Sequence, residues 1–384
     1  LNQELNIMGV SRVPSRGVRK GQIVDIESTA RCVEECIAEL ERLTGVEVYH
    51  AMLGFSGISV NAINNHAVVA VGNPSYEITL EDKERVLQSA RNIALPSDKA
   101  IIQTIERQYV VDGFEGIKDP VGMVGSRLEA EATILVAATA AVQNLQRSAS
   151  RINLHINGIV YNPLLACEAV LSHSEKELGV ILVDIGAGKT EISHFQEGNM
   201  FNTAVLPFGD EYITRDLAIV LRTSMGEAAR IKEVYGVANP DLSRDDLLIE
   251  VKNLHGKDVD KRISQRVVAE IISARVMEMT EMISTEIKQF DNLEQIPGGI
   301  VLTGGGAELQ EISSFMEDGL NIPVRPGIPE NIRGVPNDLK RPQNAAVLGG
   351  LLYAARYINI NESFDKGLPG VFNKINDWLK ELFS

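Results

Sequence analysis

The sequence predicts an α/β fold, and three of its features carry that prediction. Two short apolar runs, Val180 to Val183 and Gly299 to Leu302, are continuous rather than alternating, which suits strands buried on both faces. Each runs straight into a glycine cluster, GAGKT in the first case and TGGG in the second. Segments with helical spacing alternate with strand-like runs along most of the chain, the pattern of helices packed on a largely parallel sheet. A length of 384 residues points to two or three domains, and 44% hydrophobic residues can fill their cores.

Taken in order, Leu5 to Val13 reads as a strand and Pro14 to Gly21 as a loop. Asp25 to Leu43 reads as a helix, with Ile26, Val33, Ile37 and Leu40 at helical spacing. Glu47 to Phe55 is a strand that Gly54, Ser56 and Gly57 turn, and Asn61 to Val71 is apolar again. From Pro74 to Arg151 the texture changes. A helix starts at Thr79 and Asp82 and runs to Ala94, followed by a β-branched strand, Ala100 to Val111, and a polar stretch, Asp112 to Arg127. A strand from Ala132 to Ala137 and a helix from Ala140 to Ser150 complete a block with its own inventory, which predicts an inserted subdomain. Gly113 to Gly125 reads as an ordinary connection, with a binding loop as the alternative.

Ile152 to Val160 is a strand and Pro163 to Leu171 a helix. Beyond the first glycine cluster come strands Glu191 to Phe195 and Met200 to Leu206, then helices Tyr212 to Leu221, Met225 to Tyr235 and Ile263 to Phe290. A helix from Ala307 to Phe315 is expected directly after the three later glycines. Asn344 to Tyr357 is a further helix, in which Ala345, Ala346, Gly349 and Gly350 permit close packing.

The chemistry concentrates in the glycine clusters. A strand follows Gly186, Ala187 and Gly188 at once, so they sit in a hairpin, where backbone N–H groups can close around an anion with Lys189 and Thr190 as added donors. Asp184, at the end of a buried strand, is placed to hold a phosphate-bound Mg²⁺ or orient a water. The alternative is a tight turn with an acidic tip. The spacing is not that of a P-loop. Gly304, Gly305 and Gly306 add a second platform, and two such loops after parallel-type strands can face one crevice. The Gly209 backbone, in PFGD, could approach the same ligand.

The formal net charge of -15 argues against a nucleic-acid partner. Cys32, Cys36 and Cys167 make no disulfide framework, and the six histidines show no zinc spacing. No leader and no apolar run long enough to span a bilayer is visible, so a cytoplasmic protein is expected. The last segment differs in kind. After a polar linker, Asn359 to Pro369, the stretch Gly370 to Ser384 puts Val371, Phe372, Ile375, Trp378, Leu379, Leu382 and Phe383 on one face and polar residues on the other. A helix of this kind lies in a membrane interface; docking on the protein body is the alternative.

Together these pieces resemble the actin, Hsp70 and sugar-kinase ATPase superfamily, and within it the bacterial FtsA family of cell-division proteins. VDIGAGKTEI is similar to the phosphate-2 hairpin and IVLTGGGAELQEI to the adenosine motif, while NPLLACEAVL and PQNAAVLGGLLYAA resemble the two connecting helices. VDGFEGIKDPVGMVGSRLEAE resembles the IC subdomain specific to that family. The resemblance implies a two-lobe actin-like fold built of ribonuclease-H-like repeats, with an inserted IC subdomain and a C-terminal amphipathic helix. By position it implies subdomain IA at 1–73 with a return at 344–358, IC at 74–151, IIA at 152–210 and 299–343, IIB at 211–298, a linker at 359–369 and the membrane helix at 370–384.

The same resemblance implies ATP with Mg²⁺ between the lobes, at most weak hydrolysis, and actin-like filaments. It implies a tether holding FtsZ polymers to the inner face of the cytoplasmic membrane at the septum, and later division proteins recruited through IC. Asp184, Gly186, Gly188, Lys189 and Thr190 would meet phosphates and Mg²⁺, and Gly209 would border them. Lys232 would reach the ribose or adenine edge, and Gly304 to Gly306 would cradle the nucleoside. Arg275, with Lys261 and Arg262, matches basic positions for the acidic-apolar FtsZ tail. Two departures stand out. The phosphate-1 hairpin would precede what opens here as the third strand of lobe I, so the chain is expected to continue upstream, the alternative being a protein impaired as a nucleotide binder. Related proteins carry Glu three residues before the position of Lys232, and here that residue is Ala229, with Glu227 on another helix face. Competing readings are a superfamily kinase and a pilus-assembly protein of the PilM type.

Overall fold

The computed structural model describes residues 6–254, 259–290, 296–330, 332 and 334–364. A small hairpin of β1 (Val18–Arg19) and β2 (Gln22–Ile23) precedes α1 (Ile26–Thr44), whose first turn is capped by Asp25 accepting from the Ser28 amide. There follow β3 (His50–Phe55), β4 (Asn61–Ala70), α2 (Leu80–Arg91), β5 (Lys99–Val111), β6 (Phe114–Ile117), β7 (Arg127–Ala138), α3 (Thr139–Ser150), β8 (His155–Tyr161), α4 (Asn162–Val170) and α5 (His173–Leu178). The next group is β9 (Val180–Ile185), β10 (Thr190–Gln196), β11 (Asn199–Leu206), α6 (Glu211–Leu221), α7 (Met225–Tyr235), β12 (Leu248–Lys252), β13 (Val259–Ser264) and α8 (Gln265–Ile287). Last come β14 (Ile300–Thr303), α9 (Ile312–Leu320), β15 (Val324–Pro326) and α10 (Ala345–Phe364).

The central sheet has the order β11-β10-β9-β14-β15, with β9, β14 and β15 parallel and β9, β10 and β11 antiparallel. Its middle strands are buried on both faces, as continuous apolar runs require. Ile181, Val183 and Ile185 of β9, with Ile300 and Leu302 of β14, enter one core together with α6, α7, α8 and α9. Val180 and Leu182, with Val301, enter a second core built with α4 and α10. The other half of the molecule carries the parallel pair β3 and β8.

The inserted unit is an antiparallel sheet, β4-β7-β5-β6, with α2 on one face. It takes in residues 61–70, which pair along their whole length with β7. The unit therefore starts upstream of residue 74, because β4 has its only ladder with β7 and none with β3 among the described residues. Downstream, α3 packs on α1 and lies outside the four-stranded sheet. The insert covers the free edge of β11. Arg107 of β5 stacks its guanidinium 4.0 Å from the Phe201 ring, Asn199 Nδ2 donates to Arg107 O at 3.3 Å, and Lys118 Nζ donates to Glu197 O at 3.1 Å. An uncovered edge strand would expose a row of unpaired backbone groups.

Several expected elements differ. Residues 6–13 form no strand; the segment runs along α1, where Cys36 Sγ donates to Ser11 Oγ at 3.4 Å. The three late glycines lead not into an α-helix but into a single 3-10 turn, 305–308, with α9 starting only at Ile312. The interruption has a cause: Gln310 leaves the helical path to pair with the 237–238 backbone, Ala238 N donating to Gln310 O at 2.8 Å. The strands β6, β12 and β13 and the short helix α5 have no counterpart in the expected elements. Among the described residues no helix is long and apolar enough to cross a membrane.

The halves are joined where α4 and α10 cross. A Cβ on Gly349 would overlap the Leu165 carbonyl, whereas one on Gly350 would meet nothing nearer than Leu165 Cδ1 at 3.7 Å. Gly349→Ala is expected to cost about 3 kcal/mol by overpacking, and Gly350→Ala to hold or gain stability through its better helix propensity. Chemical denaturation of the two variants side by side checks this.

Candidate functional site

The register of the central ladder builds the site. β9 and β14 run parallel with Thr303 directly opposite Asp184, so the two glycine clusters leave the sheet together at one end. Gly304 has φ 80°, and a Cβ there would stand 2.6 Å from Asp184 Oδ1 and 2.5 Å from Ile185 O. A Cβ on Gly306 would overlap Ile185. These glycines are needed because one loop is pressed against the base of the other, while Gly305 faces open space. The hairpin tip is closed by Gly186 N donating to Lys189 O at 3.0 Å. It is then gripped by the PFGD segment: Asp210 N donates to Gly186 O at 2.9 Å and Glu211 N to Ala187 O at 3.0 Å. A Cβ on Gly209 would overlap Gly186 O.

Two of the expected ligand donors also make contacts within the chain. Thr190 is fully buried and its hydroxyl donates to Phe208 O at 3.0 Å. Lys232 Nζ is held by Asp210 Oδ2 at 2.7 Å, which places it beside Gly209 through an intermediary. Glu227 is taken up by Arg230 at 2.7 Å and substitutes for nothing at Ala229.

The polar atoms beneath the tip are unusual. Glu191 lies directly opposite Asp184 in the β9–β10 ladder and is 3% exposed. Its Oε2 is 3.0 Å from Lys189 Nζ and accepts from Ser56 Oγ at 2.5 Å, a bond that joins the end of β3 to β10. Glu191 Oε1 and Thr303 Oγ1 lack a partner at full hydrogen-bond geometry, although the Thr303 hydroxyl acts on the Asp184 carboxylate and the Tyr161 hydroxyl on Glu191, and the Lys189 ammonium makes an ion pair without hydrogen-bond geometry. Burial, reinforced by the Glu191 carboxylate and opposed by Lys189, pushes Asp184 up to about 6. Buried polar groups are nearly always satisfied; the Lys189 ammonium and the Thr303 hydroxyl, both donors, fit a phosphate-bearing ligand such as a nucleotide, while the Glu191 carboxylate oxygen fits a cation. Among the described residues no three His, Cys, Asp or Glu side chains could hold a metal alone. Asp184 and Glu191 can give one or two oxygens to a Mg²⁺ whose other ligands are phosphates and water.

Asp184, residues 186–190, Gly209 and Gly304 to Gly306 thus converge. Glu191, Ser56 and Thr303 were not singled out from the sequence, although Glu191 was within reach: a hairpin with 186–189 as its tip must set 184 against 191. The other residues expected to bind a partner stand elsewhere. Arg262 of β13 pairs with Glu250 at 2.8 Å, and Lys261 lies opposite Val251. Arg275 of α8 is held by Asp216 at 2.6 Å and by Glu278, and stacks 5.7 Å from the Tyr212 ring. A groove of about 530 Å³ is lined by Arg230, Tyr235, Leu248, Glu250, Lys252 and Arg262. Val371, Phe372, Ile375, Trp378, Leu379, Leu382 and Phe383 lie outside the described residues.

A two-lobed α/β body with glycine loops on adjacent parallel strands is an actin-like fold. It is similar to the PilM-PilN type IV pilus biogenesis complex with a TM-score of 0.61 over 88% of each chain at 16% identity, a likeness of fold alone. Two family models match, "Cell division protein FtsA" over residues 181–349 and "SHS2 domain inserted in FTSA" over residues 57–136. The second brackets the sheet that begins at β4. The cell division protein FtsA of Bacillus subtilis is 38% identical over 94% of this chain and 80% of its own length. That of Pseudomonas aeruginosa is 34% identical over 91% and 83%. The chain belongs to the FtsA family of cell division proteins.

Because the folded-state pKa of Asp184, about 6, lies above its ordinary value of 3.8, the folded chain holds this proton more tightly than the unfolded one. The group's contribution to stability is therefore most favourable below pH 4 and declines as pH rises through 6. Asp184→Asn removes that decline. Its melting temperature, relative to the unsubstituted chain, should rise between pH 4 and 7 and level off above; a difference that stays flat with pH contradicts the assignment.

Proposed function

We propose that this chain is a nucleotide-dependent membrane tether of the division apparatus. It binds ATP with Mg²⁺ at the Asp184 site, assembles into actin-like filaments, and holds the C-terminal tail of FtsZ. Through 370–384 it brings these polymers to the cytoplasmic face of the cell membrane at the septum. The observation that carries the nucleotide reading is the convergence of both glycine loops on Asp184, with orphaned polar atoms beneath them. In this reading Gly186, Ala187, Gly188, Lys189 and Thr190 meet phosphates, Gly209 borders them, Lys232 reaches the ribose or adenine edge and Gly304 to Gly306 cradle the nucleoside. IIA comprises 152–210 and 299–343, IIB comprises 211–298, and IC is the four-stranded unit beginning near residue 57, which presents a surface to later division proteins.

The tether reading draws on family membership and on charge. Arg230, Lys252 and Arg262 line one groove with Tyr235, Leu248 and a single acid, Glu250, which pairs with Arg262; the cations outnumber the acid, which suits an acidic-apolar peptide. Arg262→Glu and Arg275→Glu are each expected to weaken binding of an FtsZ-tail peptide at least fivefold by fluorescence anisotropy; unchanged affinity in both contradicts the assignment. For the tail, each inserted apolar side chain contributes roughly 1.5–3 kcal/mol at most. Converting Phe372 and Trp378 together to Glu should therefore remove most co-sedimentation with liposomes, and full retention would end the membrane claim.

A further inference from the structure

A residue outside the glycine clusters packs on the tip of the first of them. The tip of the β1–β2 hairpin lies against the tip of the β9–β10 hairpin, and the two interlock. A Cβ on Gly188 would stand 3.2 Å from Lys20 Cα, and one on Gly21, at φ 72°, would stand 2.9 Å from Lys189 Cδ. Each glycine thus makes room for the other hairpin's lysine. Lys20 itself is held in the left-handed region at φ 50°, which aims its exposed side chain along the hairpin tip toward α6. There Lys20 Nζ donates to Tyr212 Oη at 3.3 Å and lies 5.8 Å from the centre of that ring.

Three lysines surround the loop 186–189, and they are engaged differently. Lys189 is paired with Glu191 at 3.0 Å and Lys232 with Asp210 at 2.7 Å. Lys20 is paired with no carboxylate among the described residues; its contacts are a neutral phenol hydroxyl, at the long end of hydrogen-bond distance, and an aromatic face. Withdrawing Lys189 or Lys232 would leave a partly buried carboxylate without its counter-ion. Lys20 can leave Tyr212 without stranding a charge, and a charge-assisted bond to phosphate is the stronger of its two options.

We infer that Lys20 is a phosphate-binding residue contributed by the hairpin ahead of α1, handed from Tyr212 to the distal phosphates of a nucleoside di- or triphosphate. The inference rests on the nucleotide reading above. It makes Lys20 the cation that comes from the opposite half of the molecule, so that phosphate number is sensed by the fit of the two hairpins.

The test is a fluorescence titration of the full chain with ribose-labelled ATP, ADP and AMP. Lys20→Gly, which relaxes the backbone while removing the ammonium, should weaken ATP about five- to tenfold, ADP less, and AMP not at all. Lys20→Arg should stay within about twofold, and Tyr212→Phe, which frees the ammonium, should bind ATP as well as or better than the parent. Equal ATP affinity for Lys20→Gly and parent overturns this inference and leaves the nucleotide reading standing, as does an equal loss for ATP and AMP. No binding of any nucleotide by the parent overturns both.

Discussion

The parallel pairing of β9 with β14 is the constraint on which the rest depends. These strands are only six and four residues long, yet every side chain but one is buried, alternately into two cores. Such strands cannot slip by one residue without exchanging the side chains committed to each core. The register is therefore fixed, and with it the positions of everything that leaves their ends. Thr303 faces Asp184 across one ladder and Glu191 faces it across the other, and both glycine clusters begin where the cores end.

At that end the fold accepts unfavourable burial. Glu191 and Thr303 each keep an unsatisfied oxygen in a region nearly closed to water, and Asp184 is held away from its ordinary ionisation. Nothing in the packing of the sheet requires polar residues there; the same strand ends could carry valine. What offsets the cost within the chain is partial: an ion pair to Lys189 and a hydroxyl from Ser56. Around them Thr190 is fastened to Phe208 and Lys232 to Asp210. The loops are thus held by backbone and brace contacts, and the polar atoms beneath them keep hydrogen-bonding capacity that the chain does not fill.

The same strands connect the site to distant parts of the molecule. β10 carries Glu191 near one end, where Ser56 reaches it from the strand β3, and its other end turns at 197–198 into the contact with the inserted sheet. Arg107 lies over Phe201 at that contact, and Phe201 in turn flanks His194 in the middle of β10 at 6.0 Å between ring centres. The crossing of α4 and α10, close enough to demand Gly349, is the other junction between the halves.

Read by itself, the sequence determined the local matter. The apolar runs of β9 and β14, the small-residue helices α4 and α10, the capped starts of α1 and α2 and the two glycine clusters are all set by neighbours along the chain, so periodicity and composition reveal them. The motifs in those same stretches also fixed the family. Tertiary structure decided whatever depended on a distant partner. Residues 6–13 lie along α1 without a strand partner among the described residues, the turn after Gly306 breaks because Gln310 pairs with the 237–238 backbone, and β4 joins the insert because its ladder is with β7. The ion pair that holds Lys232 on Asp210 and the Tyr212 hydroxyl that holds Lys20 belong to the same class. A side chain's chemistry is written in its letter, but which charge it meets is set by the fold.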